Sequence, residues 1–176
     1  MSGSPSIKPT LQFAQVAALP VMVGDDGIER VLLLTSRETG RWVIPKGWPI
    51  RGRKPYEAAA QEALEEAGVT GHVKKKPIGT YDYFKRREAH FDVCRVEVYA
   101  LRVERQLKNW REKGQREAQW CALDEAADLV QEPGLVALLR DLAKVGVGAE
   151  GPSRGRRKGP SFRPRAGRAT ERASSK

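Results

Sequence analysis

Four glutamates crowd one short stretch of this chain. The segment PYEAAAQEALEEAG (55–68) carries Glu57, Glu62, Glu65 and Glu66. Its pattern predicts a helix over 55–67, because proline suits a first helical turn and Gly68 suits the residue that ends a helix. On an α-helix the last three glutamates, spaced i, i+3 and i+4, share one face. Like charges at that spacing repel, so a cation against this face would stabilise the arrangement.

Three carboxylates on one helical face suit a hard divalent cation such as Mg²⁺ or Mn²⁺. Such ions prefer oxygen ligands and keep open positions for water and substrate phosphate. The alternative is an acidic stripe that only contacts water. The loop GWPIRGRK (47–54) precedes the helix and is rich in Gly, Pro and Arg, so it is able to fold back over the carboxylates. We therefore predict that Glu62, Glu65 and Glu66 bind a metal ion.

The whole stretch GWPIRGRKPYEAAAQEALEEAGV (47–69) resembles the Nudix box. That pattern reads Gly, five residues, Glu, seven residues, then Arg-Glu-apolar-any-Glu-Glu-any-Gly-apolar. The matching positions are Gly47, Glu62, Ala63 (the apolar position), Glu65, Glu66, Gly68 and Val69. Two positions depart together, with Arg53 in place of the first Glu and Gln61 in place of Arg. In the family these two look like a structural pair. We expect an Arg53–Gln61 hydrogen bond, with Glu57 as a further ion partner, to replace it.

The resemblance implies an α/β fold, a Nudix-like α/β/α sandwich with a mixed β-sheet, over about residues 10–145. It implies metal-dependent hydrolysis of a pyrophosphate joined to another moiety X, by attack of water at phosphorus. It makes Glu65 and Glu66 the main metal ligands and Glu62 a ligand or the base that orients the water. We name Glu62 and Glu66 as the catalytic residues, with Glu112 or Glu117 as possible helpers.

The run RWVIPKGWP (41–49) resembles the branch of the family that includes diphosphoinositol polyphosphate and diadenosine polyphosphate hydrolases. Basic side chains surround the box, and further ones lie at 85–87. Such a cluster suits a polyphosphorylated small molecule, since arginine grips phosphate oxygens in pairs. The predicted substrate-binding residues are Arg37, Arg41, Lys46, Gly47, Arg51 and Arg53. The alternatives are a nucleotide-sugar, damaged-nucleotide or RNA-cap pyrophosphatase, and a non-catalytic polyanion-binding module, which only the changes at 53 and 61 support.

The elements around the box predict a mixed sheet with helices on both faces. Segments 11–23 and 31–36, joined by GDDG, predict a hairpin. Further strands are predicted at 41–45, 72–84, 91–103 and 118–123, followed by the two helices DEAADLV and LVALLRDLAKV. Residues 104–117 are polar and charged, and with Trp110 they are predicted to form a lid.

Net charge is concentrated at the end of the chain. Residues 146–176 contribute +7 of the total of +10, and Phe162 is the only large apolar residue from residue 150 onward, so we expect a disordered basic tail. It serves either as a solubilising extension or as a weak, non-specific RNA contact. Residues 1–9 are expected to be a flexible N-terminus.

No apolar run reaches the roughly 20 residues of a membrane helix, and no signal peptide is evident, so a cytoplasmic location is expected. Cys94 and Cys121 are expected to be reduced thiols in the core.

Overall fold

The computed structural model describes residues 12–86 and 91–148. The flexible N-terminus predicted at 1–9 and the RNA contact predicted for the basic tail lie outside these residues. None of the helices in the described ranges is long and apolar enough to cross a membrane. The tail was predicted to begin at 146. Val147 is nevertheless buried and donates its backbone N–H to Glu29 Oε2 at 3.0 Å, so packing continues past the end of the last helix.

A mixed sheet of eight strands forms the middle layer of the described residues. The strands are β1 (Gln12–Val23), β2 (Glu29–Thr35), β3 (Trp42–Val43), β4 (Lys46–Gly47), β5 (Val69–Val73), β6 (Gly79–Arg86), β7 (Phe91–Gln106) and β8 (Ala118–Ala122). β1 runs antiparallel to β2, with Val21 opposite Val31, and this confirms the predicted hairpin. On its other side β1 runs parallel to β7. This long central pair holds the rest of the sheet in place.

Alternation along β1 divides the core in two. Ala17 and Leu19 face one side of the sheet and pack under α2 (Leu123–Leu129) and α3 (Pro133–Val145). Val16 and Ala18 face the other side and pack under α1 (Pro55–Glu62). The predicted α/β/α sandwich is therefore confirmed. The two predicted core cysteines are confirmed as well, since both are buried and free.

Two predicted elements were wrong in detail. The helix predicted over 55–67 is α-helical only to Glu62 and continues as a π-helical turn, Ala63–Ala67. The segment 72–84 was predicted as one strand but contributes to both β5 and β6, because each of these pairs with a different half of β7. Pro77 lies between them and has no N–H to give to a sheet.

Gly68 ends the π-helical turn in the left-handed conformation, with φ of +67°. A β-carbon there would lie 2.4 Å from the ring of Trp110, so a side chain has no room. Trp110 belongs to residues 107–117, which join β7 to β8 and lie over the end of this turn. We call them the closing segment. The predicted lid therefore corresponds to a segment packed against the carboxylate-bearing turn.

We predict that Gly68→Ala destabilises the protein by about 2–4 kcal/mol, since it adds a steric clash to the cost of a left-handed alanine. Gly114→Ala is the matched control, because Gly114 has φ of +82° but open space around its α-carbon. It should cost about 1–2 kcal/mol. Urea denaturation measures both values. Equal losses in the two variants would contradict the packing of Trp110 on Gly68.

Candidate active site

Glu66 is the most enclosed of the predicted metal ligands, with 11% of its side chain exposed. Its Oε2 accepts a hydrogen bond from the backbone N–H of Lys46 at 3.2 Å, and its Oε1 accepts one from Arg116 Nη2 at 2.7 Å. Burial raises the pKa of Glu66 to about 7, although the charges of Arg116 and Lys46 oppose the shift. This carboxylate is therefore held in position but poorly solvated, which is a state that an added cation would relieve.

Glu62 lies directly against the loop that opens the motif. A β-carbon on Gly47 would come within 2.1 Å of Glu62 Oε1, so a side chain at this position would have to displace the carboxylate. Burial raises the pKa of Glu62, and the nearby charges of Glu65 and Glu112 raise it further. The resemblance predicted Gly47 as a substrate-binding residue, and the structure places it as the wall of the carboxylate site.

Glu65 is oriented by the two residues that depart from the family pattern. Arg53 Nη1 donates to Gln61 Oε1 at 3.2 Å, which confirms the predicted hydrogen bond. Gln61 Nε2 then donates to Glu65 Oε1 at 2.7 Å. This hydrogen bond, together with the charge of Arg111, lowers the pKa of Glu65. Glu57 accepts a hydrogen bond from the backbone N–H of Lys54 instead, at the start of α1.

Arg116 is a central residue that the sequence analysis missed. Only 8% of its side chain is exposed, and its guanidinium bonds Glu66 Oε1 at 2.7 Å and Glu112 Oε2 at 2.8 Å. It also donates to the carbonyl of Thr35 at 3.1 Å. Of the two proposed helpers, Glu112 therefore contacts the site. Glu117 is exposed, and its backbone N–H donates to Thr35 Oγ1.

We call α1 and the π-helical turn together the helical unit. The closing segment and the end of β7 provide hydrogen-bond donors for its last carbonyl groups. The C=O groups of residues 65 to 68 would otherwise lack partners, because a helix end leaves its carbonyls unpaired. Their donors are Glu112 N for Glu65, Trp110 Nε1 for Glu66, Gln106 Nε2 for Ala67 and Leu107 N for Gly68, at 2.7–3.3 Å. The backbone that carries Glu65 and Glu66 is thus held by a second, distant part of the chain.

The predicted substrate-binding cations separate into different environments. Lys46 is half-buried, and its Nζ lies 5.4 Å from the centre of the Tyr83 ring. Arg37 pairs with Glu112 at 3.4 Å, and Arg41 pairs with Glu132 at 3.7 Å. Arg51 lies in the exposed turn before α1, while Arg53 is bonded to Gln61. Lys46 and Arg37 are therefore beside the carboxylates or their partners, whereas Arg41 is turned towards α3.

The donor set of the site fits a hard cation, since Glu62, Glu65 and Glu66 offer only oxygen. Their placement is not that of a formed metal cage. Within 12–86 and 91–148, no three acidic, His or Cys side chains converge closely enough to hold an ion. The reason is visible in the contacts, because Glu65 turns to Arg111 at 2.6 Å and Glu66 to Arg116. Each carboxylate keeps further lone pairs for a metal ion.

Comparison with known proteins identifies the class. The family model described as NUDIX domain matches residues 13–142, so the chain belongs to the Nudix family, whose members hydrolyse pyrophosphate bonds. "Nudix hydrolase 12, mitochondrial" of Arabidopsis thaliana is 29% identical over 130 residues, covering 69% of this chain and 64% of its own. "Diphosphoinositol polyphosphate phosphohydrolase 3-beta" of Homo sapiens is 30% identical over 105 residues, covering 58% and 60%.

A solved structure, the C. elegans Ap4A hydrolase binary complex, matches with a TM-score of 0.57 at 20% identity. The match covers 76% of this chain and 96% of that one. At this identity the match supports the fold. The chain spans about three fifths of the length of the curated relatives described above.

We predict that Arg116→Ala destabilises the protein by about 3–5 kcal/mol, because it leaves two enclosed carboxylates without their shared cation. Arg111→Ala is the matched control. Its side chain is 73% exposed and also pairs with a carboxylate of the motif, so its loss should cost less than about 1 kcal/mol. Urea denaturation in metal-free buffer measures both. A cost below about 1 kcal/mol for Arg116→Ala would contradict the assigned role.

We predict that ionisation of Glu66 lowers stability as pH rises. Burial moves the pKa of Glu66 from its ordinary 4.5 to about 7, so between these values the folded protein binds more protons than the unfolded chain. The free energy of unfolding contributed by this group therefore falls as pH rises across that window. In metal-free buffer, the free energy of unfolding of Glu66→Gln relative to that of the wild type should increase by up to about 3 kcal/mol between pH 4.5 and 7.5. A constant difference in urea denaturation across this range would contradict the shift.

Proposed function

We propose that this protein hydrolyses a pyrophosphate bond in a polyphosphorylated small molecule, either a dinucleoside polyphosphate or a diphosphoinositol polyphosphate, with Mg²⁺ or Mn²⁺. The observation that carries this proposal is the position of Glu66, enclosed between the Lys46 backbone and Arg116 on the turn that also bears Glu65 and follows Glu62. The family supports the reaction class, and the names of two similar proteins suggest the substrates.

Glu62, Glu65 and Glu66 are the proposed ligands. A divalent ion bound there would neutralise charge on the diphosphate and acidify an attacking water. The carboxylates of the chain would orient that water. Glu62 is our candidate for accepting its proton, since its raised pKa brings the group closer to neutral pH. Glu112 is the second candidate, because Arg116 holds it next to Glu66.

The cations have distinct proposed roles. The backbone N–H of Lys46 is bonded to Glu66, and its side chain is proposed to contact phosphate oxygens near the reacting bond. Arg37, Arg41 and Arg51 are proposed to bind the outer phosphates. Two of these form long ion pairs, Arg37 at 3.4 Å and Arg41 at 3.7 Å, which a phosphate could replace at low cost. Arg53 is proposed to act through Gln61, by orienting Glu65.

One observation favours the non-catalytic alternative. Both Glu65 and Glu66 form ion pairs with arginine, so a metal ion must share or displace these contacts. In a polyanion-binding module they would stay intact. Hydrolysis of nucleotide sugars, damaged nucleotides or RNA caps remains the alternative within the enzyme class. The RNA contact of the tail and the cytoplasmic location stay predictions, and the Arabidopsis relative described above is named mitochondrial.

The decisive experiment measures product release from a panel that includes diadenosine tetraphosphate, diphosphoinositol pentakisphosphate, ADP-ribose and a capped RNA, with Mg²⁺ or Mn²⁺. Hydrolysis of the first or second compound with the highest kcat/KM supports the proposal. Binding of all four without hydrolysis at any metal concentration would support the polyanion-binding module instead.

We predict that Glu62→Gln, Glu65→Gln and Glu66→Gln each lower kcat/KM at least 100-fold, because each removes a proposed ligand or base. Glu104→Gln is the control, since Glu104 is exposed on β7 outside the motif, and its activity should stay within twofold. Circular dichroism checks folding. Unchanged turnover in Glu66→Gln would remove the proposed metal site.

A further inference from the structure

Glu132 is an enclosed carboxylate that the proposed chemistry does not use. It directly precedes α3, and 9% of its side chain is exposed. A polar side chain at this position often accepts a hydrogen bond from the first turn of the helix. Here the side chain makes no such bond. Helix capping therefore does not explain why an acidic side chain is buried at this place.

The fold brings the segment around Glu132 close to β6 and β3. A β-carbon on Gly134 would lie 2.8 Å from the Tyr81 side chain, so the start of α3 approaches β6 as closely as glycine allows. A bridge between Val130 and Trp42 fixes the preceding residues against β3. Glu132 thus lies between the start of α3 and the sheet, on the same face of the sheet as Tyr81.

Other polar groups lie near this carboxylate. Lys46 feels the charges of both Glu66 and Glu132, which oppose the lowering of its pKa by burial. Tyr83 lies under Lys46 and donates its hydroxyl to Gln15 Oε1 at 2.7 Å. Lys46 is therefore electrostatically close to both Glu132 and Glu66, so a molecule bound at Glu66 has a second set of polar groups within reach.

One oxygen of Glu132 has no partner. Within the described residues, its Oε2 is the only buried side-chain oxygen or nitrogen without a hydrogen bond. Its Oε1 faces Arg41 Nη1 at 3.7 Å, which is too long for a hydrogen bond. Arg41 itself is 39% exposed and donates from Nε to Thr39 Oγ1. The carboxylate is thus covered by a weak pair, and a buried acceptor without a donor is costly.

We propose that Glu132 determines specificity by accepting a hydrogen bond from an N–H or O–H group on moiety X of the substrate. In this exchange Arg41 leaves Glu132 for a phosphate, and the donor of X takes its place at the carboxylate. The inference rests on the proposed function. It favours a nucleoside-bearing substrate over one that carries phosphate at every position.

The negative charge of Glu132 determines which of the two substrates is preferred. A further phosphate group placed at this carboxylate would be repelled and would leave Oε2 without a donor. A neutral group with an N–H or O–H would supply that donor. Diadenosine tetraphosphate carries base amino groups and ribose hydroxyls, whereas diphosphoinositol pentakisphosphate has no free ring hydroxyl.

The test is the ratio of kcat/KM for diadenosine tetraphosphate to that for diphosphoinositol pentakisphosphate. We expect Glu132→Gln, which keeps the size of the side chain, to lower this ratio at least tenfold, because hydrogen bonds to a charged acceptor are the stronger ones. Asp128→Asn is the matched control, as Asp128 is an exposed acid of α2 paired with Arg140, and it should leave the ratio unchanged. Thermal denaturation checks that both variants fold.

Binding of AMP, followed by calorimetry, tests the same residue without turnover. We expect Glu132→Gln to weaken AMP binding at least fivefold. Ribose 5-phosphate separates the possible donors, since a similar weakening assigns the contact to the sugar and no weakening assigns it to the base. A ratio and an AMP affinity both within twofold of the wild type would overturn the inference. Absence of hydrolysis by the wild type would instead overturn the proposed function, and AMP binding would still decide the role of Glu132.

Discussion

The site depends on the enclosure of the Glu66 carboxylate, which brings together three parts of the chain. The Lys46 backbone comes from β4, Arg116 from the closing segment, and the carboxylate itself from the π-helical turn. Burial of an anion is unfavourable unless hydrogen bonds and opposite charge compensate for it. Here the compensation is partial, as the raised pKa shows. The fold therefore holds a carboxylate in a state that favours the arrival of a cation.

The rest of the architecture makes this enclosure possible. The parallel pairing of β1 with β7 places the end of β7 beside the helical unit, and the closing segment continues from there across the turn. On the opposite face, α3 packs closely on β6 and brings Glu132 towards Arg41. One face of the sheet thus supports the acidic motif and the other carries Glu132, and Lys46 is electrostatically close to both Glu66 and Glu132.

Local pattern was sufficient for much of this fold. The β1–β2 hairpin, the start of α1 at Pro55 and the end of the following π-helical turn at Gly68 follow from turn residues and periodicity. The resemblance to the Nudix box also predicted the Arg53–Gln61 hydrogen bond. The π-helical turn was not predictable in the same way, because its wider backbone geometry leaves no distinct periodicity in five residues.

Long-range contacts explain what the sequence analysis missed. Arg116 lies 50 residues from Glu66, within a segment whose many charged residues gave no periodic pattern. Glu132 is one acidic residue next to a proline, and its burial depends on the close approach of α3 to β6. The signal available for Arg116 was its neighbourhood, since it lies two residues after Gly114 and two residues before a predicted strand. Such a position indicates a loop that returns to the sheet, but it does not predict that Arg116 bonds Glu66.

Because the carbonyls of residues 65–68 bond to residues 106–112, the π-helical turn and the connection between β7 and β8 form one cooperative unit. A proteolytic nick within 111–115 would leave every strand pairing of the sheet in place. It would still break the covalent connection between the donors at 106–110 and Arg116, which bonds Glu66. Retention of the fold and retention of an aligned acidic cluster are therefore separable properties of this chain.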